Sequence, residues 1–153
     1  MKLIKILFFS FTVINCNAFA LNLDGTWKSD FNSTVEFNTA NVKLEDKQRN
    51  FLSELFGKLL VTYKNGVMKL SMPSSKVTVK GELQDFEGFE QQQAYKIVIQ
   101  NKNTIVLETT DEDGKKNIAL LKFENEDKYW IYLPNSSDDW MQLHIREFFV
   151  RQK

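Results

Sequence analysis

Cysteine and histidine, two residue types that build metal centres and disulfides, are almost missing from this sequence. Its 153 residues include one cysteine, Cys16, and one histidine, His144. Zinc and other soft metals bind sets of cysteine and histidine side chains, so we expect no metal here. Because Cys16 lies in a segment that we expect to be removed, the remaining chain has no disulfide. A thiol-free exported domain is more typical of a bacterium than of a eukaryote.

The sequence also lacks an apolar run long enough to cross a membrane as a helix. The most apolar stretch, residues 6–14, is far shorter than the roughly 20 residues that such a helix needs. Two lysines precede it, and Ala18 and Ala20 follow it in a small-x-small pattern. This order indicates a secretion signal over residues 1–20 that is cleaved near Ala20. We therefore expect a periplasmic or secreted protein; a lipoprotein anchored through Cys16 is the less favoured alternative.

An excess of charge of one sign is absent too. The 20 basic and 20 acidic residues balance, and no cluster of basic residues interleaved with aromatic ones is present. The sequence therefore has no feature that indicates binding to nucleic acid or to an anionic membrane surface. About 130 residues suffice for one hydrophobic core, so residues 21–153 are expected to form a single domain, and we expect a monomer.

Motifs of the common enzymes are missing as well. No serine lies in a Gly-x-Ser-x-Gly elbow, and no glycine-rich loop opens a helix, so we expect no cofactor. The acidic run at residues 111–114 departs from a calcium loop at Lys115 and Lys122 and is better explained as a turn. We expect a protein that is not an enzyme. A pair of carboxylates converging in a cleft would be the exception.

Hydrophobic periodicity predicts a mostly β protein. A short strand at residues 25–28 and an extended piece at 34–38 precede an amphipathic helix at about 45–57. From residue 58 onward the period is two, with short turns between segments, of which Asn65-Gly66 is the strongest hairpin signal. About eight or nine strands in an antiparallel up-and-down meander are expected to close, or nearly close, into a barrel. Residues 85–93 have no clear period and are predicted to form a loop or a bulged strand end, of which the loop is favoured.

The segment Asp24-Gly25-Thr26-Trp27-Lys28, the helix after it, the meander and Arg146-Glu147-Phe148 near the end together resemble the calycins, the lipocalins and fatty-acid-binding proteins. This resemblance implies that Trp27 plugs the barrel floor with an arginine stacked on it, either Arg146 or Arg151. Fatty-acid-binding proteins hold the ligand carboxylate with an Arg-x-Tyr, but Phe148 replaces the tyrosine here. The chain also resembles small bacterial exported proteins of unassigned function that share Trp27-Lys28-Ser29-Asp30.

Aromatic residues on the last two predicted strands are the candidates for a binding site. We predict that Trp130, Tyr132, Arg146 and Phe148 line a pocket for a small apolar or amphipathic ligand in the barrel interior. The alternative is a periplasmic inhibitor or immunity-type protein that binds a protein partner through a surface loop, at residues 85–93 or 134–139.

Overall fold

Eight antiparallel strands form a closed barrel in the order β1-β10-β9-β8-β7-β6-β3-β2, and β4 and β5 pair separately. The computed structural model describes residues 21–79, 81–111, 113–133 and 144–153. The predicted secretion signal lies outside these ranges, as does the predicted loop at 134–139. The predicted fold class, a mostly β antiparallel meander closed into a barrel with a helix after the first strand, is confirmed.

Ten strands and two helices make up the described chain. The strands are β1 (Gly25–Ser29), β2 (Leu60–Lys64), β3 (Val67–Met72), β4 (Ser75–Val79), β5 (Glu82–Phe86), β6 (Phe89–Gln100), β7 (Thr104–Thr110), β8 (Lys116–Asn125), β9 (Lys128–Tyr132) and β10 (Arg146–Arg151); the helices are α1 (Phe31–Asn41) and α2 (Asp46–Leu55). Each barrel strand pairs with the next along the chain, except that the β4-β5 hairpin is inserted between β3 and β6.

The hairpin of β2 and β3 forms where the sequence predicts it. Lys64 pairs with Val67 across the two-residue turn Asn65-Gly66. Both turn residues have positive φ, 51° and 76°, a conformation that asparagine and glycine adopt at low cost. The barrel closes where β1 pairs with β10, with Trp27 opposite Arg151 and Ser29 opposite Phe149. Closure leaves no exposed edge in the eight-stranded sheet.

The connection from β1 to β2 contains two helices where the sequence predicts one. Helix α2 lies within the predicted range 45–57; a reciprocal capping box between Glu45 and Gln48 begins it, and Gly57 follows its end with φ of 80°. Residues 34–38, predicted to be extended, belong instead to α1, so that prediction is wrong. Asp30 caps α1 by accepting a hydrogen bond from the Ser33 amide at 3.4 Å.

The favoured prediction for residues 85–93, a loop, is also wrong, whereas the alternative of a strand end is closer to the structure. The first residues of this range complete β5, and its last five begin β6, which is the longest strand of the barrel. β5 turns back on β4, with Val79 opposite Glu82 and Thr78 opposite Leu83. The last strand of the described chain begins at Arg146.

The two ends of the barrel differ. We call "floor" the end where β1 begins and β10 ends, and "mouth" the opposite end. Residues 21–24 precede β1 and contact the floor, where Leu23 is buried in the core. The helices and the β4-β5 hairpin connect strands at the mouth. In the described part of the chain, no helix has both the length and the apolar character to span a membrane.

Two apolar clusters follow from this arrangement. The larger, the barrel core, fills the floor half of the interior and contains Trp27, Val61, Tyr63, Ile105, Leu107, Leu121, Phe123, Tyr129 and Phe149. The smaller, the helical core, joins Leu44, Leu52 and Phe56 to Ile145. Ile145 precedes β10 at the mouth, so the helices pack on the mouth beside β10.

Candidate binding site in the barrel

At the floor, Trp27 lies under a stacked arginine. The Trp27 side chain is fully buried, and its indole Nε1 donates to the Leu23 carbonyl at 2.9 Å. The guanidinium of Arg151 lies 4.2 Å from the ring centroid. Of the two arginines that the calycin resemblance leaves open, the one on Trp27 is therefore Arg151.

Arg151 also connects the segments at the two ends of the barrel-forming chain. Its guanidinium donates to the carbonyls of Asn22 and Asp24, at 2.5 and 2.6 Å, and forms an ion pair with Asp127 at 3.1 Å. These contacts connect the segment before β1, the turn between β8 and β9, and the end of β10. The planar guanidinium group has enough N–H donors to make all of these contacts while it stacks on the indole. The floor is thus closed by Trp27 and Arg151.

From the floor towards the mouth, the inward side chains change from apolar to polar on β1, β6, β7, β8 and β10, whereas those of β3 and β9 stay apolar through Leu70 and Ile131. Side chains two residues apart on a strand share a face. One such step carries β1 from Trp27 to Ser29, β10 from Phe149 to Glu147, β7 from Leu107 to Thr109 and β6 from Tyr95 to Gln93. The register supports the assignment, since Gln93 lies opposite Met68 of the barrel core. We call Ser29, Gln93, Thr109 and Glu147 the polar ring.

Glu147 is the charged member of the polar ring and is almost fully buried, with 6% of its surface exposed. Its Oε1 accepts a hydrogen bond from the Ser29 hydroxyl at 2.6 Å, and the Ser29 oxygen accepts one from the Gly57 amide at 2.8 Å. Burial raises the pKa of Glu147 to about 7, and the bond from Ser29 offsets this only in part. The barrel interior therefore holds a carboxyl group poised to titrate near neutral pH.

The four residues predicted from the sequence to line the pocket do lie together, but on the outer wall of the barrel. Trp130 is opposite Phe148 and Tyr132 is opposite Arg146 in the pairing of β9 with β10. The Arg146 guanidinium lies 3.8 Å from the Trp130 ring centroid and 4.2 Å from that of Phe37 in α1. These side chains alternate with Glu147 and Phe149, which point inward. We call the set Phe37, Trp130, Tyr132, Arg146 and Phe148 the outer cluster.

The outer cluster fastens α1 to the barrel. Phe37 packs on Phe148 with ring centroids 5.7 Å apart. Beside it, the Asn38 side chain donates to the Arg146 carbonyl at 2.7 Å and accepts from its amide at 3.0 Å, and Thr34 accepts from the Phe148 amide at 3.0 Å. Helix α1 thus supplies hydrogen bonds to β10 beyond the last residue of β1. The residues predicted from the sequence to bind a ligand therefore make contacts that attach α1 to the barrel wall.

Arg146→Lys is expected to lower the free energy of unfolding by about 1–2 kcal/mol, because an ammonium group cannot stack between two rings as a guanidinium does. Urea denaturation of the variant measures this. Arg49→Lys is the matched control; its ion pair with Asp46 on α2 is exposed, and a loss below about 0.5 kcal/mol is expected there. Equal losses in both variants would contradict a stabilising role for the outer cluster.

The remaining sequence candidates do not assemble a reactive centre in the described ranges. His144 is exposed and lies beside Tyr132, with ring centroids 5.7 Å apart. Within residues 21–79, 81–111, 113–133 and 144–153, no group of three or more metal-ligating side chains converges. Residues 85–93 form strands and a tight connection between them, so a long flexible contact loop is not present there.

Sequence reasoning missed Glu147 and its partner Ser29. Strand alternation does indicate these residues, because Ser29 and Glu147 lie two positions from Trp27 and Phe149 and therefore share their inward face. On β10 the alternation is hard to recognise, because α1 covers the outer side of the strand and Glu147, Phe148 and Phe149 are all buried. Alternation therefore did not distinguish the inward face of β10 from the outward one.

Comparison of the chain with models of known protein families, with curated proteins and with solved structures finds no match. The structure itself defines the chain as an eight-stranded antiparallel barrel with a helix pair after the first strand.

Proposed function

We propose that this chain is an exported, non-enzymatic binding protein of the calycin type that holds a small apolar or amphipathic ligand in the barrel interior. The polar ring above an apolar floor is the observation that carries the proposal. A barrel that served only as a packed scaffold would gain stability from apolar residues at these inward positions, because burying polar groups costs free energy. An interior with an apolar floor and polar groups on several strands above it suits an amphipathic molecule.

The floor supports the same proposal. Trp27 under Arg151 agrees with the arrangement that the calycin resemblance implies, and it seals one end of the barrel. Access is then left to the mouth. There the inward residues of β8 also become smaller and more polar, from Leu121 through Ala119 to Asn117, of which Asn117 is exposed. The mouth half of the interior is the part of the barrel that we assign to the ligand.

Fluorescence titration with the neutral apolar dye N-phenyl-1-naphthylamine tests this proposal. We expect the purified protein to bind the dye at one site and to enhance its emission. Ala119→Phe places a large ring on the inward side of β8 and is expected to weaken binding by about tenfold or more through steric exclusion. Leu120→Phe, one residue further on the outward side, is the matched control and is expected to leave binding unchanged.

Thermal melts of both variants establish that the barrel remains folded. Absence of dye binding by the unmodified protein would overturn the proposal. Equal weakening by Ala119→Phe and Leu120→Phe would place the dye outside the barrel and would overturn it as well.

A further inference from the structure

We infer that the ligand of this barrel carries a cationic head group, of the class of a primary alkylamine, and that Glu147 accepts its hydrogen bond. This inference rests on the proposed function and specifies the chemistry of the head group. The geometry points to it because the described inward strand positions of the mouth half include one acidic side chain, Glu147, and no basic one.

The charge inventory of the interior is short. Among the inward positions of the eight barrel strands, all of which the structure describes, the only charged residues are Glu147 and Arg151. Arg151 lies at the floor, where it binds backbone carbonyls and Asp127. It is separated from the mouth by the barrel core, so it is not placed to receive a head group that enters there. Glu147 is the next inward residue of β10 on the mouth side of that core, and it lies opposite Ile131 of β9.

Glu147 is held ready to accept hydrogen bonds. The bonds that run from the Gly57 amide to Ser29 and from Ser29 to Glu147 fix one carboxyl oxygen in place. This chain begins at a backbone amide and ends at the carboxyl group, so the carboxyl is its terminal acceptor. The hydroxyl of Tyr129 is close enough that the Glu147 charge adds to the effect of burial in raising the pKa of that tyrosine. The hydrogen bond from Ser29 thus orients the carboxyl group within the interior.

A ligand with a carboxylate head group is expected to bind poorly at this position. It would bring a second negative charge beside Glu147 in a site without a cation, and like charges at short distance in a poorly solvated site repel strongly. The outer-wall position of Arg146 removes the one arginine that the fatty-acid-binding resemblance would offer for this purpose. An ammonium group would instead pair with Glu147 and could also donate to the polar amide and hydroxyl groups of Gln93 and Thr109 across the mouth.

Three ligands of equal chain length test the inference: dodecylamine, dodecanol and dodecanoate, each titrated at pH 8 in competition with bound N-phenyl-1-naphthylamine. We expect dodecylamine to bind about ten- to a hundredfold more tightly than dodecanoate, the range that a charge-assisted hydrogen bond supplies. Glu147→Gln is expected to abolish this preference and to leave binding of the neutral dye in place. Glu108→Gln, which removes an outward carboxylate of β7 that pairs with Lys116, is the control and should keep the preference.

The outcomes separate the two proposals. Binding of dodecanol and dodecanoate with no advantage for dodecylamine would overturn the head-group inference alone. An amine preference that survives in Glu147→Gln would also overturn it, and thermal melts of that variant show that it is folded. Failure of all three ligands and of the dye to bind would overturn the proposed function, and the inference with it.

Discussion

Trp27→Ala is expected to lower the free energy of unfolding by about 3–5 kcal/mol, the cost typical of deleting a large aromatic side chain from a core. Trp27 is fully buried and contacts the rings of Tyr129 and Phe123 edge-on, with centroids 4.8 and 5.9 Å away. Its loss leaves a cavity beneath Arg151 and removes the hydrogen bond to Leu23. Since a domain of this size is stabilised by only about 5–15 kcal/mol, the variant will be close to unfolding.

Urea denaturation monitored by circular dichroism measures this effect. Trp130→Ala is the matched control, because Trp130 lies in the outer cluster and is only partly buried; we expect it to cost about 1–3 kcal/mol less than Trp27→Ala. If the two tryptophans cost the same, the floor would not be the main stabilising element that the structure indicates.

Glu147 is expected to make the protein more stable in mild acid than at neutral or higher pH. The carboxyl group titrates near pH 4.5 when exposed and near pH 7 in the folded protein, where burial disfavours its charge. Between these values the folded protein keeps a proton that the unfolded chain releases. The free energy of unfolding therefore falls as the pH rises from about 4.5 to about 7, by up to about 3 kcal/mol at 1.36 kcal/mol per pKa unit.

Glu147→Gln is expected to remove this contribution, because the amide stays neutral and can still accept the hydrogen bond from Ser29. Urea denaturation at pH 5 and pH 8 gives the difference for each protein, and at pH 8 the variant is expected to be the more stable of the two. Glu36→Gln, an exposed position on α1, serves as the control and should retain the pH dependence. An unchanged pH dependence in Glu147→Gln would contradict the assignment of a buried, protonated carboxyl group.

The barrel was predictable because its signals are local. Alternation along the strands and the Asn65-Gly66 turn are each contained within a few residues, and a long meander has to close or cover its edges. Helix α1 carries no such signal. Its sequence is rich in asparagine, serine and threonine, which favour helix poorly, and its buried residues are Thr34 and Asn38 rather than apolar ones. Contacts with β10, far away in the sequence, select the helix.

The candidate site was harder to predict for the same reason. The sequence places aromatic residues on β9 and β10, but which side of a strand faces the interior depends on what covers the other side. Helix α1 makes the outer side of β10 apolar as well, so the aromatic residues of the outer cluster and those of the barrel core look alike in sequence. The distinction between Arg146 and Arg151 likewise depends on register, since Trp27 lies opposite Arg151.

Intermolecular nuclear Overhauser effects between the ring protons of N-phenyl-1-naphthylamine and the methyl groups of β7 and β8 test the interior site most directly. The two strands carry methyl groups on both sides, inward at Leu107, Thr109 and Ala119 and outward at Val106 and Leu120. We expect contacts from the dye to the inward methyl groups, strongest at Thr109 and Ala119 near the mouth, and none to the outward ones. Contacts to Val106 and Leu120 in place of Thr109 and Ala119 would contradict binding within the barrel.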